Sequence, residues 1–323
     1  MESMTGTDSA DPRHIPRSDQ DDYTAEMAER RRSFVSGVSG TSLEHVGSYS
    51  FEPSVLPGNI ENFIGVAQVP IGVAGPLLVR GEHAVGEFLV PLATTEGTLV
   101  ASYNRGMRLV RECGGVTTTV VDDRMQRAPV FTFADALAAR SFGEWVDSHF
   151  VEIKAAADST TSVGRLLDIG HYALGPLRYL RFNFNSGDAA GQNMTGKATS
   201  VACEWIKANY PEKLQYLLSG NIDTDKKYSH INTILTRGKR VIAEITVRHQ
   251  PLLDLMGVDT RALFQARQIS QTGAFLAGSS GNGAHAANAL AALFIATGQD
   301  AGNVAESHAA ITYSQLLDNG DYY

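Results

Sequence analysis

One carboxylate, Glu96, stands at the mouth of a helical pattern whose next turns carry Ser102, Asn104 and Arg105. Thr94 and Thr95, just before it, are candidate caps, because a hydroxyl there accepts a free backbone N–H. Leu99, Val100, Met107 and Val110 recur at helical spacing, and Gly114 is a stop signal. A glutamate at a helix start has a bland reading, a few tenths of a kcal/mol of dipole complementation. The other reading is a catalytic carboxyl.

Three more clusters bear chemistry. Gly187, Asp188, Ala190, Gly191, Gln192 and Asn193 lie between a strand and a helix. Glycines at such a turn let backbone N–H groups face an anion at the helix N-terminus. The spacing is not a Rossmann fingerprint, and a plain tight connection reads the same way. In the second cluster Ser219 is followed by Asp225, Lys226 and Lys227. These are either a surface ion patch or a pair of ammonium groups able to polarise a carbonyl and hold a carboxylate. The third sets His285 and Asn288 on one helix face ahead of Gly298 and Asp300. An acid just past a helix C-terminus opposes the dipole, so Asp300 requires a partner.

Composition narrows the setting. The chain has 323 residues, 43% hydrophobic and 19% charged, enough for about two domains. A net charge of −8 gives no support for a nucleic-acid or anionic-membrane partner. Cys113 and Cys203 form neither a metal-ligand spacing nor a disulfide framework, so no metal and a cytoplasmic location are expected. No apolar run is long enough to span a bilayer, and no secretory or transit signal is evident.

The elements that must position these residues follow from pattern. Residues 1–20 read as unstructured, and residues 25–35 as a basic helix whose Arg30, Arg31 and Arg32 form a solvated face. Thr41 or Ser42 is a candidate cap for a further turn, and residues 60–79 read as extended chain and turns. From 130 to 218 the order becomes βαββαβ, with a strand at 130–133, a helix at 135–146 and a strand at 166–174. Leu180, Phe182 and Phe184 alternate with Arg181, Asn183 and Asn185, which predicts a half-buried strand. Met194, Ala198, Val201, Ala202 and Trp205 mark the next helix. A strand through Val241, Ala243, Ile245 and Val247 and a small-residue helix over 284–297 close the chain.

Together the quoted motifs, with Glu61-Asn62 and the run from Pro91 to Gly97, resemble the 3-hydroxy-3-methylglutaryl-coenzyme A reductase family. The resemblance runs from about Glu29 to the last residue. It implies an α+β fold: a substrate domain from 51–121 and 219–323, an inserted ferredoxin-like nucleotide-binding domain at 122–218, and an N-terminal segment at 1–50. It also implies a four-electron reduction of the acyl-CoA thioester to mevalonate and CoA with two NADPH, in a homodimer or tetramer with shared sites. Lys226 then faces the reacting oxyanion, Asp300 sits against it and Glu96 donates a proton. Two nearby buried acids would raise one pKa toward neutrality. Ser219 and Lys227 would hold the substrate carboxylate, and Ser102, Asn104, Arg105, Asp225, His285 and Asn288 would surround substrate and CoA. The turn at 187–193 would hold the cofactor.

The chain departs from the family at four places. Thr119 and Ile269 stand where the family has substrate-site cations, leaving Arg124 or Arg127 to reach instead. Ser162 replaces an arginine near the adenosine phosphate, which leaves NADH open beside NADPH. The family's C-terminal histidine and glycine-rich loop fall beyond Tyr323, so a C-terminally truncated chain is expected. The alternatives are a reductase of another acyl-CoA thioester and a non-catalytic homologue that dimerises or binds nucleotide without turnover.

Overall fold

A computed structural model describes residues 14–279, 281 and 285–323. The chain divides into two compact units, one ending at Pro70 and one running from Ile71 to Tyr323. In the first, helix α1 (Ala25–Ser39) starts where the Thr24 hydroxyl accepts the Met27 N–H and stops at left-handed Gly40, past the predicted end. Its middle arginine corrects the sequence reading, for Arg31 is fully buried. The guanidinium donates to the carbonyls of Pro16 (2.9 Å), Asp22 (2.9 Å) and Phe63 (3.4 Å) and pairs with the Asp22 carboxylate. A cation is tolerated in such a place only when its donors are met. The same bonds tie down Pro16, inside the stretch expected to be unstructured, and Asp22 just after it; residues 1–13 of that stretch lie outside the described residues. Residues 44–47 form a turn rather than a capped helical turn.

The second unit opens with the antiparallel hairpin β1 (Ile71–Gly81) and β2 (Val85–Ala93), so the predicted irregular stretch becomes regular strand at residue 71. Helix α2 (Leu99–Glu112) follows, and then β3 (Val116–Arg127), which runs parallel to β1 at its start. Next come β4 (Val130–Thr132), α3 (Ala136–Ser148), α4 (Phe150–Asp158), β5 (Arg165–Leu174), β6 (Leu177–Asn185), α5 (Gln192–Asn209) and β7 (Tyr216–Leu217). The remainder is α6 (His230–Ile234), β8 (Gly238–Glu244), α7 (His249–Met256), α8 (Thr260–Leu276), α9 (Ala286–Thr297) and α10 (Val304–Ser307). The strand read through Val247 thus ends at Glu244, and Val247 makes an isolated bridge to Tyr322. Ala284, expected to open the last long helix, lies outside the described residues.

The architecture mixes α and β. Strand order is β2-β1-β3-β6-β4-β7, with β5 added on β6 and β8 on β3. Long β3 is shared: residues 117–124 pair with β8, and Met125, Gln126 and Arg127 pair with β6. Around β6 all pairings are antiparallel, in the order β7-β4-β6-β5. Phe131, Phe142, Leu166, Phe182, Phe184 and Ile206 lock these strands to α3 and α5 with no exposure above 1%. Each such side chain contributes about 1.5–3 kcal/mol by leaving water.

The other face of β6 corrects a second reading. Arg181 and Asn183 are not solvent-facing; they are 2% and 5% exposed. The Arg181 guanidinium donates to Ile222 O (3.2 Å) and Thr236 O (2.9 Å), so the loop after β7 covers this face. The polar alternation therefore marks a buried hydrogen-bonded layer. A second core of Ala74, Leu92, Leu99, Met107 and Ala292 joins β1, β2, α2 and α9. Among the described residues no helix is long and apolar enough to cross a membrane.

Candidate active site

The loop after β7 holds three non-glycine residues in the left-handed region: Asn221 (φ 67°), Thr224 (φ 58°) and Lys226 (φ 53°). That conformation costs an L-residue roughly 1–2 kcal/mol. Hydrogen bonds impose it. Thr224 N–H reaches Asn221 O (3.1 Å) and Lys227 N–H reaches Thr224 O (3.0 Å). Arg237 Nη1 holds Asp223 O at 3.1 Å, and Lys226 N–H donates to Glu306 Oε2 at 2.7 Å.

On this platform Lys226 Nζ lies 2.6 Å from Asp300 Oδ2, each side chain 47% exposed. The other oxygen of Asp300 accepts the Gly302 N–H at 2.8 Å. An acid after the C-terminal end of α9 is thereby explained: an ammonium and a backbone N–H offset the helix dipole. The hydrogen bond and charge of Asp300 raise the Lys226 pKa. The hydrogen bond from Lys226, then the Gly302 N–H, lowers that of Asp300. The expected neutral, buried acid is therefore not Asp300, which is ionised with its cation at neutral pH.

Glu96 lies in an exposed bend three residues before α2. The candidate caps are corrected here. Thr98, left-handed at φ 68°, occupies the cap position without a side-chain bond, while the Thr94 hydroxyl accepts the Glu96 N–H at 2.9 Å. Leu99, at the start of α2, shares a core with Ala292 of α9, which leads on to Asp300. Among the described residues of this chain Glu96 makes no ion pair with Lys226. Ser102 and Arg105 are exposed on α2, and Asn104 Oδ1 accepts the Gly75 N–H at 3.0 Å. Exposed His285 occupies the N-cap position of α9 without a side-chain bond, and Asn288 sits in the first turn.

The glycine turn leads into α5. Gly187 and Gly191 are left-handed (φ 66° and 77°), and no side chain caps the helix. A Cβ on Gly191 would stand 2.5 Å from Ser186 Cβ, so glycine is required there. Uncapped N–H groups at an 18-residue helix, with exposed Asp188, Ala190 and Asn193 around them, fit a phosphate-bearing cofactor. The loop with Ser162 is adjacent, since Val163 Cγ1 would meet a Cβ on Gly187 at 3.2 Å. The Gln192 amide turns inward and donates to Asn303 Oδ1 (2.9 Å) and Glu306 Oε1 (3.3 Å).

Other expected groups are already engaged. Ser219 Oγ donates to buried Asp223 at 2.9 Å, and Asp225 takes Arg237 Nη2 at 3.0 Å. Lys227 Nζ donates to the carbonyl of Asp225 at 3.0 Å. Thr119 pairs with Ile242 across β3 and β8, and Ile269 is exposed on α8. Neither substitute cation is free: Arg124 is bonded to Asp122 and Asp168, and Arg127 to Asp223 and Asp225. Arg237, Glu306 and Gly302 escape sequence reasoning. No local pattern separates Glu306 from a surface acid, and only the pair Arg237-Gly238 at the start of β8 hints at a fixed turn.

The profile of the Hydroxymethylglutaryl-coenzyme A reductase family matches residues 27–323. The 3-hydroxy-3-methylglutaryl-coenzyme A reductase of Pyrococcus abyssi is 42% identical over 299 residues, covering 91% of this chain and 73% of that protein. Its Haloferax volcanii counterpart is 41% identical over 92% of this chain and 73% of its own length. The fold is similar to the class II reductase of Streptococcus pneumoniae solved with NADPH in open conformations, with TM-score 0.64 and 17% identity over 91% of this chain and 81% of that one. The chain belongs to the hydroxymethylglutaryl-coenzyme A reductase family.

Proposed function

We propose that the chain reduces hydroxymethylglutaryl-CoA to mevalonate and CoA, a four-electron change. The observation that carries this is the Lys226–Asp300 pair, held at 2.6 Å on a loop fixed in the left-handed region. NADPH, along the turn of Gly187, Asp188, Ala190, Gly191, Gln192 and Asn193 and beside Ser162, supplies hydride. Lys226 offers its ammonium to the negative charge that develops on the carbonyl oxygen. Asp300 keeps that group charged and aimed. Glu96 supplies the proton of the aldehyde step, and Ser102, Asn104 and Arg105 of α2, with His285 and Asn288 at the start of α9, surround acyl group and CoA. Ser219, Asp225 and Lys227 lie at the carboxylate end. Two or four copies assemble with shared sites, in the cytoplasm. Residues 122–218 form the inserted nucleotide-binding domain, a reading supported by the antiparallel order β7-β4-β6-β5, the order of a ferredoxin-like sandwich; the substrate domain comprises 51–121 and 219–323.

The engaged Arg124 and Arg127, with Thr119 and Ile269, favour a second reading in which the thioester lacks the distal carboxylate. The test follows reduced-cofactor absorbance and free thiol with purified protein. Two NADPH consumed per CoA released from hydroxymethylglutaryl-CoA supports the first reading. Turnover confined to an uncharged acyl-CoA supports the second, and no oxidation with any thioester rejects both.

A further inference from the structure

Behind Lys226 lies a carboxylate that touches none of the proposed reactants. Glu306, in the short helix α10, is 5% exposed. Its Oε2 accepts the Lys226 N–H at 2.7 Å and the Arg237 Nε–H at 2.5 Å, and its Oε1 accepts the Gln192 amide at 3.3 Å. Arg237 is itself fully buried, and its remaining N–H groups hold Gln126 O (3.0 Å), Asp223 O (3.1 Å) and Asp225 Oδ1 (3.0 Å). One carboxylate thus joins three segments far apart in sequence: the Lys226 loop, the first residue of α5 and the approach to β8.

We propose that Glu306 is a positioning residue for the reductase chemistry, anchoring the Lys226 backbone and, through Gln192, setting the cofactor turn in register with the ammonium. This rests on Lys226 being the group that faces the reacting carbonyl. The chemistry of the pocket requires an acid. All three neighbours of Glu306 are donors, so a carboxylate satisfies each, whereas an amide turns an NH2 toward at least one. Left-handed Lys226 persists only while its surroundings over-determine it, and the bond to Glu306 is the one its own N–H makes. A buried Arg237 also needs a counter-charge, which Glu306 and Asp225 share.

The test is Glu306→Ala in the full chain, which removes both acceptor oxygens. With the lysine displaced by about an ångström, kcat with hydroxymethylglutaryl-CoA and NADPH falls on the order of 10²-fold. In a Lys226→Ala background the same change costs less than about twofold, because the lysine through which it acts is gone. Equal losses in both backgrounds overturn the proposal, since a merely structural acid harms both alike. Amide hydrogen exchange supplies a readout free of turnover: Glu306→Ala accelerates exchange at Lys226 while the α3 and β6 amides keep their protection. Unchanged exchange at Lys226 overturns the anchor. If the native chain reduces no thioester, the functional reading fails while the exchange result still decides the anchor. Where Glu306→Ala does not fold, Gln192→Leu carries the test. It lowers kcat and raises the primary isotope effect from deuterated cofactor, and an unchanged isotope effect with unchanged kcat overturns the coupling.

Discussion

Replacing Asp300 by Asn separates what the ion pair does for folding from what it does for chemistry. The pair lies at 2.6 Å, but both side chains are 47% exposed. Water screens such a pair, so its worth to stability is about 0–1 kcal/mol. The sign is fixed by the two pKa directions. Asp300 is lowered, so its contribution is complete above the ordinary carboxylate value of 3.8 and is lost as pH falls through the lower folded value. Lys226 is raised, so its share is complete below 10.5 and is lost as pH rises through the higher folded value. Between those limits the stability difference from the variant is flat and small. The chemical effect is of another size. Asparagine keeps an oxygen for the Gly302 N–H but turns N–H groups toward the ammonium, driving Lys226 off its position. Removing one preorganised group from a developing alkoxide costs roughly 2.7–4 kcal/mol, or about 10²–10³-fold in kcat. The assay is steady-state NADPH oxidation across pH, with thermal and urea unfolding of the same preparations. The variant melts within a few degrees of the native chain, its kcat falls about 10²-fold, and its alkaline limb moves to lower pH. A variant with native kcat, or one that loses activity only by unfolding, refutes the reasoning.

Three further outcomes follow. A Cβ at Gly302 would stand 3.1 Å from Asp300 Oδ1 and 3.2 Å from Lys226 Cδ. Gly302→Ala therefore shifts the pair by a few tenths of an ångström and lowers kcat severalfold with nearly unchanged urea midpoint. Phe142→Ala empties a fully buried site against Phe131 and costs about 3–5 kcal/mol in urea unfolding. Ser162→Arg adds a cation beside Gly187 and raises the preference for NADPH over NADH about tenfold in kcat/KM, as a charged hydrogen bond of about 1.5–3 kcal/mol would.

Much of the frame was legible because its signals are local. Apolar periodicity located α2 and α5, alternation and breaks ordered the elements from β4 to β7 except for α4, a second helix that the βαββαβ reading lacks, and the glycine turn stood out by composition. The proximity of Lys226 and Asp300 came only through the family resemblance, since 74 residues separate them and no pattern pairs them. Arg31 was misread because its partners are carbonyls at Pro16 and Phe63, invisible to any helical-wheel argument. The polar face of β6 was misread for the same reason: a later loop supplies the acceptors for Arg181. Thr98 went unnoticed as the start of α2 because a left-handed threonine breaks the usual capping rule. Glu306 carries no signal at all until the fold delivers three donors to it.

The central claim is that the Lys226 ammonium stabilises charge on the reacting carbonyl oxygen. Its most direct measurement compares kcat and KM of the native chain and Lys226→Ala for hydroxymethylglutaryl-CoA reduction, each shown to be folded by its melting curve. The account predicts a fall in kcat of about 10²–10³-fold or more with KM changed only a few-fold. A folded Lys226→Ala protein that retains native kcat would contradict it.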